Sequence, residues 1–293
     1  LRTILITGAN GFIAGLLAAR LKSGGCRVVG TVRRTGDVAA FDATYPCVLG
    51  EPLRPVFERE HVDAVVHAAN YAGANEYRVN VEGTTRWLEE ARAHAVPTQV
   101  FLSSLSAGSS DASEYGRAKR ELEARVLPIG GIAVRLGLVI GAGGLFGRMI
   151  DSVRRWPLLP VLDNGAARVH VVGSRFLTTF VDEATDLRHP EWRGRTWHIH
   201  QPVSHSLREV LETIRTQLGA RCRLVPVPSL PVLCALVAAE RIPGLRLPVN
   251  STNIRGLRAA RYQSVPSDLE RLGGTAESLD TLVAVALGGV VAR

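Results

Sequence analysis

One run near the start of the chain constrains its fold more than any other: Thr7-Gly8-Ala9-Asn10-Gly11-Phe12-Ile13-Ala14, directly after the apolar β-type segment Thr3-Ile4-Leu5-Ile6. A G-x-x-G-x-x-A turn between a strand and a helix leaves few options. Gly8 permits a tight turn, Gly11 lets the backbone approach a ligand, and Ala14 keeps the helix close to the sheet. The helix N-terminus that follows presents backbone N–H groups to an anion. The run is a relative of the dinucleotide fingerprint. It predicts a cofactor-binding βαβ unit in which Gly8, Asn10, Gly11, Phe12 and Ile13 contact a pyrophosphate.

Beyond the turn, short apolar runs alternate with amphipathic stretches. Strands are expected at 4–7, 27–31, 64–67, 99–103 and 132–136, and helices at 12–22, 76–94 and 114–126. A further strand is placed at 46–49. Strands alternating with helices of this length imply an α/β fold, a Rossmann-like doubly wound parallel sheet. After Gly141 the pattern loosens into Gly and Pro clusters, with a strand near 197–199 and helices at 146–156 and 207–218. The expected organisation is a cofactor domain over 1–140 and a smaller, intertwined C-terminal substrate lobe over 141–293. Ser206 stands where it can cap the 207–218 helix.

Within the 114–126 helix, Tyr115 and Lys119 are four residues apart and share a face. Lysine is scarce here: of 35 basic residues only Lys22 and Lys119 are lysine. An ammonium beside a phenol is expected to lower its pKa, making Tyr115 a proton donor or acceptor near neutral pH. At the end of the second strand the chain reads Thr31-Val32-Arg33-Arg34, with no acid to bind ribose hydroxyls. Guanidinium groups at Arg33 and Arg34 suit the extra phosphate of NADP, which is preferred over NAD on that ground.

These residues occur in a familiar order. TGANGFIA at 7–14, DAVVHAA at 63–69, NVEGT at 80–84, Ser103-Ser104, YGRAK at 115–119 and RLGLVIG at 135–141 together resemble the extended short-chain dehydrogenase/reductases, the NAD-dependent epimerase/dehydratase family. The resemblance covers the first 140 residues well and is closest in feel to sugar-nucleotide epimerases and ketoreductases. It implies that Tyr115 exchanges a proton with the substrate oxygen and that Lys119 tunes it and bonds the nicotinamide ribose. Ser104 would bond the same oxygen, and Asn80 would be linked to the helix backbone and a proton-relay water. Glu51, Ala68 and Ala69 complete the expected cofactor contacts. Ser103 and Ser106 are expected to be structural, and His67 a packed core residue. In the lobe, Arg168, Arg255 and Arg258 are candidates to hold a substrate diphosphate, with Arg148 near the pocket.

The departures bear on the substrate. Only eleven positions separate Ser104 from Tyr115, and the 69–80 segment is also short, so the pocket is expected to be more open than in nucleotide-sugar members or shaped for another substrate. The family's proline and tyrosine after Arg135 are replaced, and 171–175 lacks its usual acid. Leu105-Ser106 stands where dehydratases carry an acidic pair. The expected activity is reversible hydride transfer between NADP(H) and a ketone or secondary alcohol of a small substrate. The alternatives are an epimerase retaining NAD and, further off, a non-catalytic NADP-sensing regulator.

Composition narrows partners. A formal charge of +8 would suit nucleic acid, but the basic residues are scattered with no aromatic interleaving, so none is expected. Cys26, Cys47, Cys222 and Cys234 form no CxxC and predict buried thiols, with no metal. The first strand begins at once, which leaves no room for a signal peptide, and the apolar stretch 230–239 is too short to span a bilayer. A soluble, cytoplasmic protein acting on a small-molecule substrate is expected, dimeric by analogy through the 76–94 and 114–126 helices.

Overall fold

The computed structural model describes residues 1–34, 38–109, 113–239 and 265–291. Its strands are β1 (Thr3–Ile6), β2 (Arg27–Val32), β3 (Ala43–Pro46), β4 (Ala64–His67), β5 (Thr98–Ser104) and β6 (Ile132–Leu136). They continue as β7 (Leu138–Ile140), β8 (Leu158–Leu162), β9 (Arg168–Gly173), β10 (Thr196–Ile199), β11 (Ser204–Ser206) and β12 (Arg223–Val227). The helices are α1 (Phe12–Ser23), α2 (Arg54–Phe57), α3 (Glu76–Ala93), α4 (Glu114–Val126) and α5 (Gly144–Arg155). After them come α6 (Ser174–Ala184), α7 (Leu207–Gln217), α8 (Ser229–Ala239) and α9 (Leu279–Val291).

Two compact units share the chain. The first holds residues 1–108, 114–136 and 174–199, and the second 109–113, 137–173 and 200–293. The sequence pattern put one boundary at 140. The chain instead enters the second unit after Leu136, and returns to the first to build α6 and β10.

The first unit is a seven-stranded sheet in the order β10-β6-β5-β4-β1-β2-β3, every pairing parallel. This is the doubly wound order, with its crossover between β1 and β4. Parallel strands are covered on both faces and so need side chains that tolerate full burial. β1 and β4 meet that demand, being buried at all four positions. Leu5, Val29, Val65 and Trp87 fill one core; Leu88, Phe101, Leu122 and Val126 fill another.

β3 lies three residues earlier than the apolar run 46–49 suggests. It is an edge strand with half-buried side chains, so it carries little hydrophobic signal. Cys47 closes the ladder on the Val32 carbonyl at 2.8 Å, and Val48 turns back through Gly50, whose φ of +97° suits glycine.

The second unit holds two small sheets, β11-β9-β7 and β12-β8. Its core is built by α5, α7 and α9 around Phe146, Ile150, Val171, Ile214 and Val283. Ser206 caps α7 as its position predicts: Glu209 N donates to Ser206 Oγ at 3.1 Å, and Ser206 N donates to the Glu209 carboxylate at 2.6 Å. Gly137 is obligatory, since a Cβ there would lie 2.4 Å from the His170 carbonyl. Cys26, Cys47 and Cys222 are buried, Cys234 is exposed, and all four are free thiols. Among the described residues no His/Cys/Asp/Glu group is placed to hold a metal, and no helix is long and apolar enough to cross a membrane.

Candidate active site

Because the sheet is parallel throughout, the carboxyl ends of β1, β4 and β5 lie along one edge. At the end of β1, Thr7 ties neighbouring strands: its N–H reaches the Val66 carbonyl at 3.0 Å and its hydroxyl accepts from Ala68 N and Ala69 N, each at 3.0 Å. Gly8 N donates to Thr31 Oγ1 at 3.0 Å, Ala9 N to the Thr31 carbonyl at 2.8 Å, and Gly11 N to the Gly8 carbonyl at 2.8 Å. Gly8 has φ +75°, and a Cβ on it would sit 2.9 Å from Ala69 Cα. α1 then starts at Phe12 with no side chain capping it and no acid in its first turn. Its first N–H groups thus keep their capacity for an external acceptor. Asn10 and Gly11 are exposed, Phe12 and Ile13 half-buried. This cradle fits a dinucleotide pyrophosphate.

Arg33 and Arg34 are exposed at the end of β2. Glu51 is spent locally: its carboxylate accepts from Val48 N at 2.7 Å, and its carbonyl from the Trp87 indole at 2.6 Å. Buried His67, at the end of β4, bonds Gln99 at 3.0 Å, and burial holds its pKa down to about 4. It is a neutral core imidazole.

Ser104 ends β5, and Tyr115 and Lys119 occupy the first two turns of α4. Tyr115 and Ser104 are hydrogen-bonded, and Ser106 donates to Ser104 Oγ from its hydroxyl at 2.9 Å and its N–H at 3.3 Å. Lys119 Nζ lies 5.5 Å from the Tyr115 ring centroid and donates to the Leu102 carbonyl at 2.8 Å. The electrostatics differ from the expected depression of the phenol. Burial pushes the Tyr115 pKa up, the bond with Ser104 pulls it back, and Glu76 adds to the rise. Lys119 is displaced the other way: burial lowers its pKa from 10.5 to about 8, against the pull of Glu123 and Glu76. Tyr115 is therefore a protonated phenol at neutral pH.

Asn80 was expected to link the helix backbone to a relay water. Its amide does engage the backbone, Nδ2 donating to the carbonyls of Tyr71 and Glu76 at 2.8 Å each and Oδ1 accepting from Tyr71 N at 2.9 Å. It is a clamp that fixes the short 69–80 segment to α3.

Two groups of residues escaped sequence reasoning. Thr7 and Thr31 shape the cradle through their buried hydroxyls, and nothing marks them in the chain beyond their places at strand ends. Ser103, Glu123 and Arg135 form a buried cluster beneath α4. Glu123 repeats the four-residue spacing of Tyr115 and Lys119, a signal that was available. In the second unit Arg168 is tied to Ser204, its Nε lying 3.1 Å from Ser204 Oγ, and pairs with Glu209 at 3.9 Å. Arg148 lies on α5. Arg255 and Arg258 lie outside the described residues, as do 110–112 of the short loop before Tyr115.

Residues 4–130 match the profile of the NAD dependent epimerase/dehydratase family. That stretch is less than half of the chain. Over 191 residues the chain is 31% identical to a dTDP-6-deoxy-L-talose 4-dehydrogenase (NAD(P)(+)) of Kitasatospora kifunensis. The match covers 52% of this chain and 59% of that protein, so the chain spans less than two thirds of that relative's length. Among solved structures, a short-chain dehydrogenase/reductase superfamily protein from Agrobacterium tumefaciens with bound NAD superposes with a TM-score of 0.68 at 20% identity, covering 100% of this chain and 98% of that one. The UDP-glucose 4-epimerase of Thermus thermophilus, in complex with NAD, gives 0.66 at 18% identity over 89% and 99% of the two chains. At these identities the superpositions establish the Rossmann-like α/β fold.

Proposed function

We propose that this chain carries a hydride-transfer enzyme of the epimerase/dehydratase family, interconverting a secondary alcohol and a ketone on a sugar nucleotide with NAD(P). The observation that carries this is the grouping of Ser104, Tyr115 and Lys119 at the end of β5, on the sheet edge that also bears the Gly8–Gly11 cradle. Bound at the cradle, the nicotinamide cofactor supplies the hydride acceptor or donor. Tyr115, held protonated by burial, gives its proton to the substrate oxygen in reduction and takes it back in oxidation. Ser104 donates to the same oxygen and stabilises the charge that develops there. Lys119 places a positive charge behind the phenol and so opposes the rise that burial imposes on the phenolate.

The talose dehydrogenase relative supports a dTDP-sugar as the substrate class. Incubation with dTDP-6-deoxy-L-talose and either oxidised cofactor is expected to produce the absorbance of reduced nicotinamide. A rate no higher than that of the Tyr115→Phe variant with both cofactors rejects this substrate class.

The exposed arginines at the end of β2 favour NADP. Arg33→Ala is expected to weaken NADPH binding by about tenfold, roughly 1.4 kcal/mol, while leaving NADH binding unchanged. Fluorescence titration of the reduced cofactors reads both. An equal change for the two would remove Arg33 from phosphate recognition.

A further inference from the structure

Beneath the Tyr115–Lys119 pair lies a second set of charged groups that the proton exchange does not itself use. Glu123 stands one turn beyond Lys119 on α4, and the two are 4% and 5% exposed. Arg135 on β6 grips Glu123 with both arms of its guanidinium, Nε to Oε1 at 2.9 Å and Nη2 to Oε2 at 2.6 Å. Ser103 Oγ donates to the same Oε1 at 2.5 Å. With three donors on two oxygens the carboxylate cannot swing away.

The same cluster reaches two of the three catalytic candidates, Lys119 and Ser104. Lys119 donates to the carbonyl of Leu102, and Leu102, Ser103 and Ser104 are consecutive on β5. Arg135 also lies under the turn that follows Ser104, where a Cβ on Gly108 would be 3.1 Å from Nη1. Its Nη1 meets the His198 ring at 3.4 Å.

A buried ammonium stays charged only where opposite charge or strong acceptors compensate its lost hydration. The groups facing Lys119 are Glu123 on its own helix, Glu76 at the start of α3, and the rings of Phe101 and Tyr115. Glu76 is half-buried, and its own ionisation is discouraged by burial and by Glu114. Glu123 is the larger opposing influence on Lys119, and the one whose charge is anchored.

We propose that Glu123 is the positioning residue of this site: locked by Arg135 and Ser103, it keeps the Lys119 side chain charged and seated behind Tyr115. Its importance for turnover rests on Tyr115 and Lys119 being the reacting pair, but the link between Glu123 and Lys119 can be measured without any substrate.

The chain has only two lysines, so lysine labelled with 13C at Cε yields two resonances. Lys22, paired with Asp42 at 2.8 Å, serves as the internal reference. In the parent protein the Lys119 signal is expected to titrate near 8. In Glu123→Gln it should titrate roughly one pH unit lower, with Lys22 unmoved. Glu123→Asp, which keeps the charge on the same turn, should restore most of the difference. Glu123→Gln strands the Arg135 charge and can cost the fold, so Glu123→Gln/Arg135→Met, which buries no unpaired charge, is titrated alongside it and should show the same downward shift. An unchanged Lys119 titration in either folded variant overturns the proposal. Retained turnover in Tyr115→Phe would instead overturn the reading of the dyad and leave this link standing.

Discussion

Replacing Tyr115 by phenylalanine is expected to lower kcat by about a thousandfold, the middle of the range for a lost general acid–base group. The substitution removes one oxygen from a ring that keeps its place at the start of α4. The Gly8–Gly11 cradle makes no use of that oxygen: its hydrogen bonds run among Thr7, Gly8, Ala9, Gly11, Thr31, Ala68 and Ala69. Cofactor affinity should therefore stay within about twofold, the sign that a transition-state contact rather than a binding contact was lost. Ser104 would keep its bonds from Ser106 but lose Tyr115, so part of its polarising effect falls with the phenol. Steady-state kinetics with dTDP-6-deoxy-L-talose and a cofactor titration on the same preparation decide the matter. A kcat within about tenfold of the parent would take Tyr115 out of the proton path.

Lys119→Met should abolish activity and at the same time stabilise the fold. Burial lowers this lysine from 10.5 to about 8, a cost of about 3 kcal/mol to keep it charged in the folded protein. Methionine has similar length and no charge, its sulfur suits the Phe101 and Tyr115 rings that the ammonium faces, and the main loss is the bond to the Leu102 carbonyl, about 1 kcal/mol. Glu123 is not left alone, because Arg135 and Ser103 still hold it. The expected net gain at neutral pH is about 2 kcal/mol.

The pH dependence has a definite sign. Below about 8 the lysine is protonated in folded and unfolded chains alike, and the full cost is present. Between about 8 and 10.5 the unfolded chain binds more protons than the folded one, so the parent gains stability as pH rises. The advantage of Lys119→Met should shrink through that window and vanish above it. Urea unfolding of the two proteins at neutral and alkaline pH provides the comparison. A variant less stable than the parent at neutral pH would mean that attraction to Glu123 outweighs burial.

Much of the fold was legible in the chain. Strands buried on both faces must be apolar throughout, so β1 and β4 stand out as unbroken runs, and α4 shows its helical period without help from packing. β3 was misplaced because an edge strand need not be apolar, while the turn after it happened to be. The Tyr115 and Lys119 pair could be named from its spacing, and Ser104 from the family resemblance. Asn80 could be named as well, but whether its amide faces a water or the Tyr71 backbone depends on the path of a loop that no local pattern encodes.

Local sequence, then, determined the parallel sheet, the glycine cradle and the identity of the tyrosine–lysine pair. Each depends on backbone sterics, side-chain period or residue chemistry within a few positions. The tertiary structure alone decided their electrostatics. It buried Lys119 against Phe101, brought Arg135 from β6 under Glu123, and through burial raised the pKa of the phenol while lowering that of the ammonium. Desolvation and charge pairing are sums over neighbours from distant parts of the chain, and those neighbours exist only once the sheet has assembled.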